Sequence, residues 1–305
     1  MTKNLAPVGI PTYTRLTHLQ KTIEALQANP LSTDTDLYIY SDGPRTGDEE
    51  RVNELRAYIR AIGGFKSVNI IEQKDNDFIK NNYGCIRDLL SKHGKIIFME
   101  DDIVTTPGFL KFMNEGLNFY KDDKKVLTIN GYNIPAKFPK DYRHDYFLSK
   151  HYNAWGLGTW QDRGLVEMMN YNHGYSEIMR DKKLYKKIYK IYPALIGGLK
   201  RIENGSLDAG DFKVAFHAIK NDMFHIRPVR SLVQNIGFDG TGVHSGTTNR
   251  YYVENLSDRN NFLFENLEYD KRMDSVWTNY LDTKPKLSQL PGRIYRKLKK
   301  IFKLK

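Results

Sequence analysis

The first 130 or so residues alternate short apolar runs with stretches whose apolar residues recur at helical spacing, and few architectures accommodate that rhythm. APVGIPTY reads as a strand, and Leu16, Leu19, Ile23 and Leu26 then mark a helix. LYIYS is a second strand, closed by Asp42-Gly43-Pro44, and Val52, Leu55, Tyr58, Ile59 and Ile62 predict a second helix ending at Gly63-Gly64. The pattern repeats with SVNII, a helix around Cys85 to Leu90 stopped at Gly94, and the strand KIIFME. Pro107 opens a further helix through Phe109, Leu110, Met113 and Leu117, and VLTING offers one more strand. Such alternation implies the α/β class, with parallel strands and helices on both faces.

Beyond about Asn133 the rhythm breaks down. The segment to Lys150 is rich in Pro, Lys, Asp and aromatic residues, as expected of an ordered but irregular loop region near a site. Asp181 to Lys200 reads as a basic, Tyr-rich helical stretch. Asp208 to Gly246 then holds a helix from Phe212 to Ile219, the strand SLVQNIG and a Gly-rich turn. No internal repeat or low-complexity tract interrupts the chain.

With 305 residues, 40% hydrophobic and 12% aromatic, the chain can bury a substantial core. Its single cysteine, Cys85, leaves no internal disulfide framework, and a reducing cytoplasm is expected. The start, Met1 to Pro11, lacks a secretion-signal pattern, and no stretch reaches the length of a membrane span. A formal net charge of +11 calls for an anionic partner. Much of the excess lies in the closing RIYRKLKKIFKLK, where Ile294, Leu298, Ile301 and Phe302 share one helical face. Such a helix suits an anionic membrane surface, each basic residue near it contributing about 1 kcal/mol, although a solvated basic end has the same composition. No nucleic-acid-binding motif accompanies the charge, so nucleic acid is not expected as a partner.

The strongest local signal is Glu100-Asp101-Asp102, at the end of KIIFME. In an open parallel sheet ligands bind beyond the carboxyl ends of the strands. Adjacent carboxylates repel, so a cluster at that edge is costly unless a cation neutralises it, and Mg²⁺ or Mn²⁺ suits oxygen ligands shared with a diphosphate and water. The same acids could instead cap the following helix or form a solvated turn.

With strand, acids, Pro-Gly and amphipathic helix in that order, the sequence resembles the GT-A fold of nucleotide-sugar-dependent glycosyltransferases. In detail it is similar to bacterial sugar transferases related to the N-acetylglucosaminyltransferase I type, whose acidic motif is also Glu-Asp-Asp. The resemblance runs from about Ala6 to Gly246. It implies one large GT-A (Rossmann-like) domain with a mixed, mostly parallel sheet flanked by helices. Residues 1–133 would be a nucleotide-sugar-binding half, 134–250 an acceptor and catalytic half, 251–290 an extension and 291–305 the basic amphipathic tail. It further implies that Asp102 ligates the metal, that Asp101 lies near the ribose or a metal-bound water with Glu100 beside it, and that Asp42 lies near the nucleoside. Pro11 and Arg15 would fall in the first loop, under the nucleotide. Read from the residues alone, Asp42 is equally a turn residue and Arg15 an exposed cation at a helix start.

The run NAWGLGTWQDRG suits a surface on which a sugar ring stacks, with Trp155 and Trp160 as acceptor residues, though core packing is the favoured reading for one of the two. Where the family carries an Asp-x-Trp-Asp type motif, this chain reads Asp208-Ala209-Gly210-Asp211, with Gly210 in place of the tryptophan. Asp211 is the expected catalytic base and Asp208 the alternative; either could also N-cap the helix that follows. The resemblance places His244, in FDGTGVHSG, at the metal or diphosphate.

The expectation is a metal-dependent, inverting hexosyl- or N-acetylhexosaminyltransferase. It would move a sugar from a nucleotide-diphosphate donor to a lipid-linked glycan acceptor in surface polysaccharide synthesis, at the cytoplasmic face of a bacterial plasma membrane. A sugar nucleotidyltransferase would share the sheet and the acids, but IPTYTRLTH is not the Gly-rich phosphate loop it needs. A nucleic-acid-binding protein is what the charge alone would suggest.

Overall fold

A computed structural model describes residues 4–241 and 246–281, so His244 and the basic tail lie outside the described residues. The alternation in the sequence becomes a parallel set of strands, β1 (Val8–Thr12), β2 (Asp36–Ser41), β3 (Ser67–Glu72) and β4 (Lys95–Phe98). The connecting helices are α1 (Leu16–Gln27), α2 (Glu49–Arg60) and α3 (Phe78–His93). Gly94, at φ 73°, ends α3 in the left-handed region, where a residue without Cβ carries no penalty. A short strand β5 (Ile103–Thr105) leads into α4 (Phe109–Phe119) and β6 (Val126–Asn130). Then come β7 (Tyr146–Ser149), β8 (Leu157–Trp160) and a run of helices, α5 (Leu165–Met169), α6 (Gly174–Arg180), α7 (Lys182–Ile191), α8 (Pro193–Glu203) and α9 (Gly210–Lys220). Strands β9 (Phe224–Pro228) and β10 (Val233–Asn235) and helix α10 (Lys271–Leu281) complete the described chain.

Eight of the strands form one sheet in the order β3-β2-β1-β4-β8-β6-β9-β7, so no break falls at residue 133. Strands β3, β2, β1 and β4 run parallel, β8 opposes both β4 and β6, β9 is parallel to β6, and β7 is antiparallel to β9. The molecule is thus a single α/β domain with a mixed, mostly parallel sheet flanked by helices. Strands β7, β8 and β9 were not foreseen: each is only four or five residues long, β7 and β8 sit in segments read as loop and aromatic platform, and β9 falls between the helix and the strand expected within Asp208 to Gly246.

Period-2 alternation along the central strands sends Val8, Ile10, Leu37, Ile39 and Ile97 to one core layer and Tyr38, Tyr40, Ile96 and Phe98 to the other. Each fully buried aliphatic side chain contributes about 1.5–3 kcal/mol. The second layer packs closely at Gly9, where a Cβ would come within 2.7 Å of the Cys85 sulfur; Cys85 is a packing residue.

Helix α10 is held by charge as well as by packing. Asp274 accepts hydrogen bonds from Ser149 Oγ at 2.8 Å, the Lys150 amide at 3.1 Å and the Tyr269 hydroxyl at 2.8 Å. The fully buried Arg227 donates to the Tyr132 and His151 carbonyls and lies 4.0 Å over the Trp277 ring. Burial pulls its guanidinium down to about 9, against the favourable charge of Asp274. Asp274→Ala strands these donors and removes the buried counter-charge, so it is expected to cost about 3 kcal/mol. A urea midpoint equal to that of the parent would contradict this account.

Candidate active site

The acidic run begins one residue after the strand that delivers it ends, Met99 separating β4 from Glu100. It emerges at the carboxyl edge shared by β1 and β2, and its backbone is clamped on both sides. The Thr22 hydroxyl donates to the Asp101 carbonyl at 2.9 Å, and the Ile236 amide donates to the Asp102 carbonyl at 2.9 Å. The second clamp depends on β5 and β10, which pair antiparallel as a two-stranded ribbon and carry residues 236 and 237 across the acids.

Arg15, the N-cap residue of α1, answers the acids electrostatically. Its Nη1 is 2.7 Å from Asp102 Oδ2 and 3.5 Å from Asp101 Oδ1. Burial works against the guanidinium's charge, but the two carboxylates outweigh it and hold the group above its ordinary range. Burial pushes the Asp101 carboxyl up to about 7; the Asp102 charge adds to the rise, while Arg15 and the Thr12 hydroxyl, donating at 2.9 Å, oppose it. Glu100 retains some accessible surface but lies deep in the fold, and burial followed by the charges of Asp102, Asp211 and Asp101 raises it well above the carboxylate range.

Three buried polar atoms here lack a hydrogen-bond partner among the described residues: Asp102 Oδ1, Arg15 Nε and Arg15 Nη2. A carboxylate oxygen and two guanidinium donors left unpaired side by side cost roughly 1–3 kcal/mol apiece. They are the arrangement a cation and an anion together would satisfy. Among the described residues no cluster of three or more His, Cys, Asp or Glu side chains converges as a metal site. A single carboxylate oxygen nonetheless fits a hard divalent ion that takes most of its ligands from phosphate and water.

Asp42 ends up at the predicted strand end, after β2, but its oxygens are already engaged. Oδ1 accepts from the Gly43 and Asp77 amides, each at 2.9 Å, and Oδ2 from Asn76 Nδ2 at 3.1 Å. It staples the loop before α3 to the strand, and burial raises its pKa. Pro11 is not in the loop after β1 but inside the strand and buried. The strand is tolerant there: Gly9 faces β4 with its carbonyl, Pro11 two residues on faces the same side, and β4 pairs no further than Gly9.

The two tryptophans part company. Trp160 is buried at the end of β8, its Nε1 donating to the Leu117 carbonyl at 3.1 Å and Arg163 lying 4.4 Å over its ring. It is a core residue, which corrects the acceptor assignment for that position: a platform motif was in fact a central strand. Trp155 is half-buried in the loop before β8 and meets Tyr132, Phe238 and Tyr251 edge-on, adjoining Gly237 and hence the Asp102 wall of the cleft.

Neither acid of Asp208-Ala209-Gly210-Asp211 caps α9, whose N-cap is Ala209. Asp208 is held by Lys213 Nζ at 3.0 Å. Asp211, in the first turn of α9, has no hydrogen bond or ion pair among the described residues, and its charge acts on Glu100, Tyr152 and Tyr83. Its carboxyl is open to the cleft while protein surrounds the cleft itself, and this desolvation pushes it up to about 6. Glu100, Asp101, Asp102, Arg15 and Asp211 therefore converge.

Some residues of the site escaped the sequence reading. Asn81, in the buried stripe of α3, donates to the Tyr40 carbonyl at 2.9 Å and leaves its Oδ1 unpartnered at the same sheet edge. A polar residue in phase with Gly84 and Cys85 was the available signal. Tyr83, Tyr152 and Gly237 carried no such mark.

Neither a family model nor a curated protein matches this chain. Among solved structures, a mannosyltransferase, PcManGT from Pyrobaculum calidifontis in complex with GDP-Man and Mn²⁺, is 11% identical over 70% of this chain and 68% of its own, with a TM-score of 0.39. S. aureus TarS is 12% identical over 75% of this chain and 36% of its own, with a TM-score of 0.36. TarS residues 1-349 give 10% over 75% and 59%, with a TM-score of 0.37. The chain thus spans about two thirds of the first and a smaller share of TarS. The fold assignment rests on the sheet order above and not on these remote likenesses.

A Cβ on Gly237 would sit 1.9 Å from Asp102 Oδ2 and 2.6 Å from Arg15 Nη2. Gly237→Ala is therefore expected to push the ion pair apart and to destabilise the fold by about 1–3 kcal/mol. A thermal midpoint matching the parent would show that the 236–237 segment does not lie over the acids.

Proposed function

We propose that this protein is a metal-dependent glycosyltransferase that uses a nucleoside diphosphate sugar and inverts the anomeric carbon. The observation that carries this reading is that Asp102 Oδ1 and Arg15 Nε and Nη2 are buried without partners among the described residues, at the carboxyl edge of the parallel strands, next to Glu100, on which the charge of the unpaired Asp211 acts. A divalent ion, Mn²⁺ or Mg²⁺, would be held by Asp102, with His244 as a further donor, and would supply positive charge to the diphosphate.

The chain's own residues account for the rest. Arg15 directs two free donors toward diphosphate oxygens, while Asp101, kept in place by Thr12 and Thr22, and Asn81 face the nucleoside side of the same edge. Glu100, raised toward its neutral form, can donate a hydrogen bond to a sugar hydroxyl. Asp211 accepts the proton of the acceptor hydroxyl as that oxygen bonds to the anomeric carbon. The bond from that carbon to the diphosphate breaks, and the leaving group departs with the electron pair. A single displacement of this kind inverts configuration. The resemblance in the sequence favours a hexose or N-acetylhexosamine donor and surface polysaccharide synthesis on a lipid-linked acceptor.

A panel of nucleotide-sugars with Mn²⁺ or Mg²⁺, read by donor hydrolysis and thermal shift, tests the proposal; no response to any donor overturns it. As a base Asp211 must be deprotonated, so kcat/KM should fall tenfold per pH unit below about 6. Asp211→Asn should abolish that limb and lower kcat by about 10²–10⁴-fold. An unchanged pH profile in this variant would assign the base elsewhere.

The membrane reading concerns the tail. We propose that residues 291–305 hold the enzyme on an anionic cytoplasmic leaflet, on the strength of their alternating basic and apolar residues. Removing them should lower sedimentation with phosphatidylglycerol vesicles at low salt, and equal sedimentation of the truncated chain would refute the assignment.

A further inference from the structure

Tyr83, whose hydroxyl lies against the residue next to the proposed base, also lines a second feature, an open groove of about 480 Å³ between α3 and α5. Its lining mixes chemistries. Ile79 and Val166 are apolar, Tyr83 offers a half-buried ring, and Asp77, Lys80 and Asn170 are polar. None of these residues belongs to the acid cluster; Asp77 enters the site only through its backbone amide, which donates to Asp42, and Tyr83 only as a neighbour of Asp211.

Tyr83 joins the groove to Asp211. A Cβ on Gly210 would lie 2.9 Å from the Tyr83 hydroxyl, so this hydroxyl rests against the backbone of the residue next to Asp211. It has no hydrogen-bond partner among the described residues, and burial, with the charges of Asp208 and Asp211 adding to it, pushes its pKa up to about 12. At neutral pH it is a donor waiting for an acceptor atom. The same contact explains why Gly210 stands where the resembling family has a tryptophan: a large side chain at 210 would occupy the place that Tyr83 fills from α3. Met169, 3.3 Å from the same notional Cβ, closes the other side.

We infer that this groove is the acceptor site, and that its occupant is a saccharide whose reacting hydroxyl lies between Tyr83 and Asp211. The inference rests on the glycosyltransferase reading above. A sugar ring has one face of C–H groups and a rim of hydroxyls. Tyr83, Ile79 and Val166 meet the first requirement, while Asp77, Asn170 and the Lys80 ammonium, unpaired among the described residues, meet the second. The groove is open to solvent, so a longer acceptor can extend out of it with only its terminal unit inside. Tyr83 is then a positioning residue, its hydroxyl orienting the acceptor oxygen toward the carboxylate.

The test uses the full chain, a donor from the panel and a set of p-nitrophenyl glycosides as probe acceptors, followed by transfer, donor hydrolysis and saturation-transfer NMR. Val166→Trp, which fills the groove, should lower the ratio of transfer to hydrolysis at least tenfold and abolish glycoside saturation transfer. Tyr83→Phe should raise the acceptor KM several-fold and keep ring stacking, whereas Tyr83→Ala should lose both. Glycosides that fail to bind the parent protein, or a Val166→Trp variant with the parent's acceptor KM, would overturn the groove while donor hydrolysis still stands. Absence of donor hydrolysis in the parent would instead remove the reading on which the groove depends.

Discussion

Arg15 at 2.7 Å from Asp102 is the contact on which the site is organised. Three consecutive acids at the edge of an apolar sheet repel one another in a poorly solvated setting, and without a counter-charge they would protonate or the loop would open outward. Because Arg15 caps α1 directly after β1, the first strand-to-helix turn is tied to the acids following the fourth strand. The ribbon of β5 and β10 then presses Gly237 onto the pair, a position that has no room for a side chain. The ion pair is incomplete: among the described residues one carboxylate oxygen and two guanidinium nitrogens remain unmatched. A ligand bearing both signs of charge would relieve all three atoms at once.

Across the cleft the logic is reversed. Asp208 is neutralised by Lys213, but Asp211 is left unpaired in a setting that raises its proton affinity. Two acids three residues apart are thereby set in different environments, the first neutralised and the second raised to about 6 by desolvation. Nothing in their spacing distinguishes them, since both stand near the start of α9 and either could have capped it.

Much of the frame was legible because periodicity is a local property. The strands from β1 to β4 and the helices between them follow from residues a few positions apart, and Gly94 ends α3 where a glycine was expected to. The reading failed where a strand is short and its partners are distant. Trp160 looked like half of an aromatic platform, but β8 lies between β4 and β6, so its ring is enclosed by the core. The link from Arg227 to Asp274 and Trp277, which anchors α10, left no local trace, because β9 and α10 meet only in the folded chain.

The amino-acid sequence by itself determined the α/β class, the position of Glu100-Asp101-Asp102 at a strand's carboxyl end, and the pair of acids at the start of α9. These depend on hydrophobic period and chain direction, which short windows encode. Only the tertiary structure decided that Arg15 neutralises the acids, that Asp42 is consumed by its own loop, that Asp211 and not Asp208 is unpaired, and that Tyr83 occupies the space beside Gly210. Each of these is a choice of partner among residues dozens of positions apart, and sheet order and helix packing make that choice.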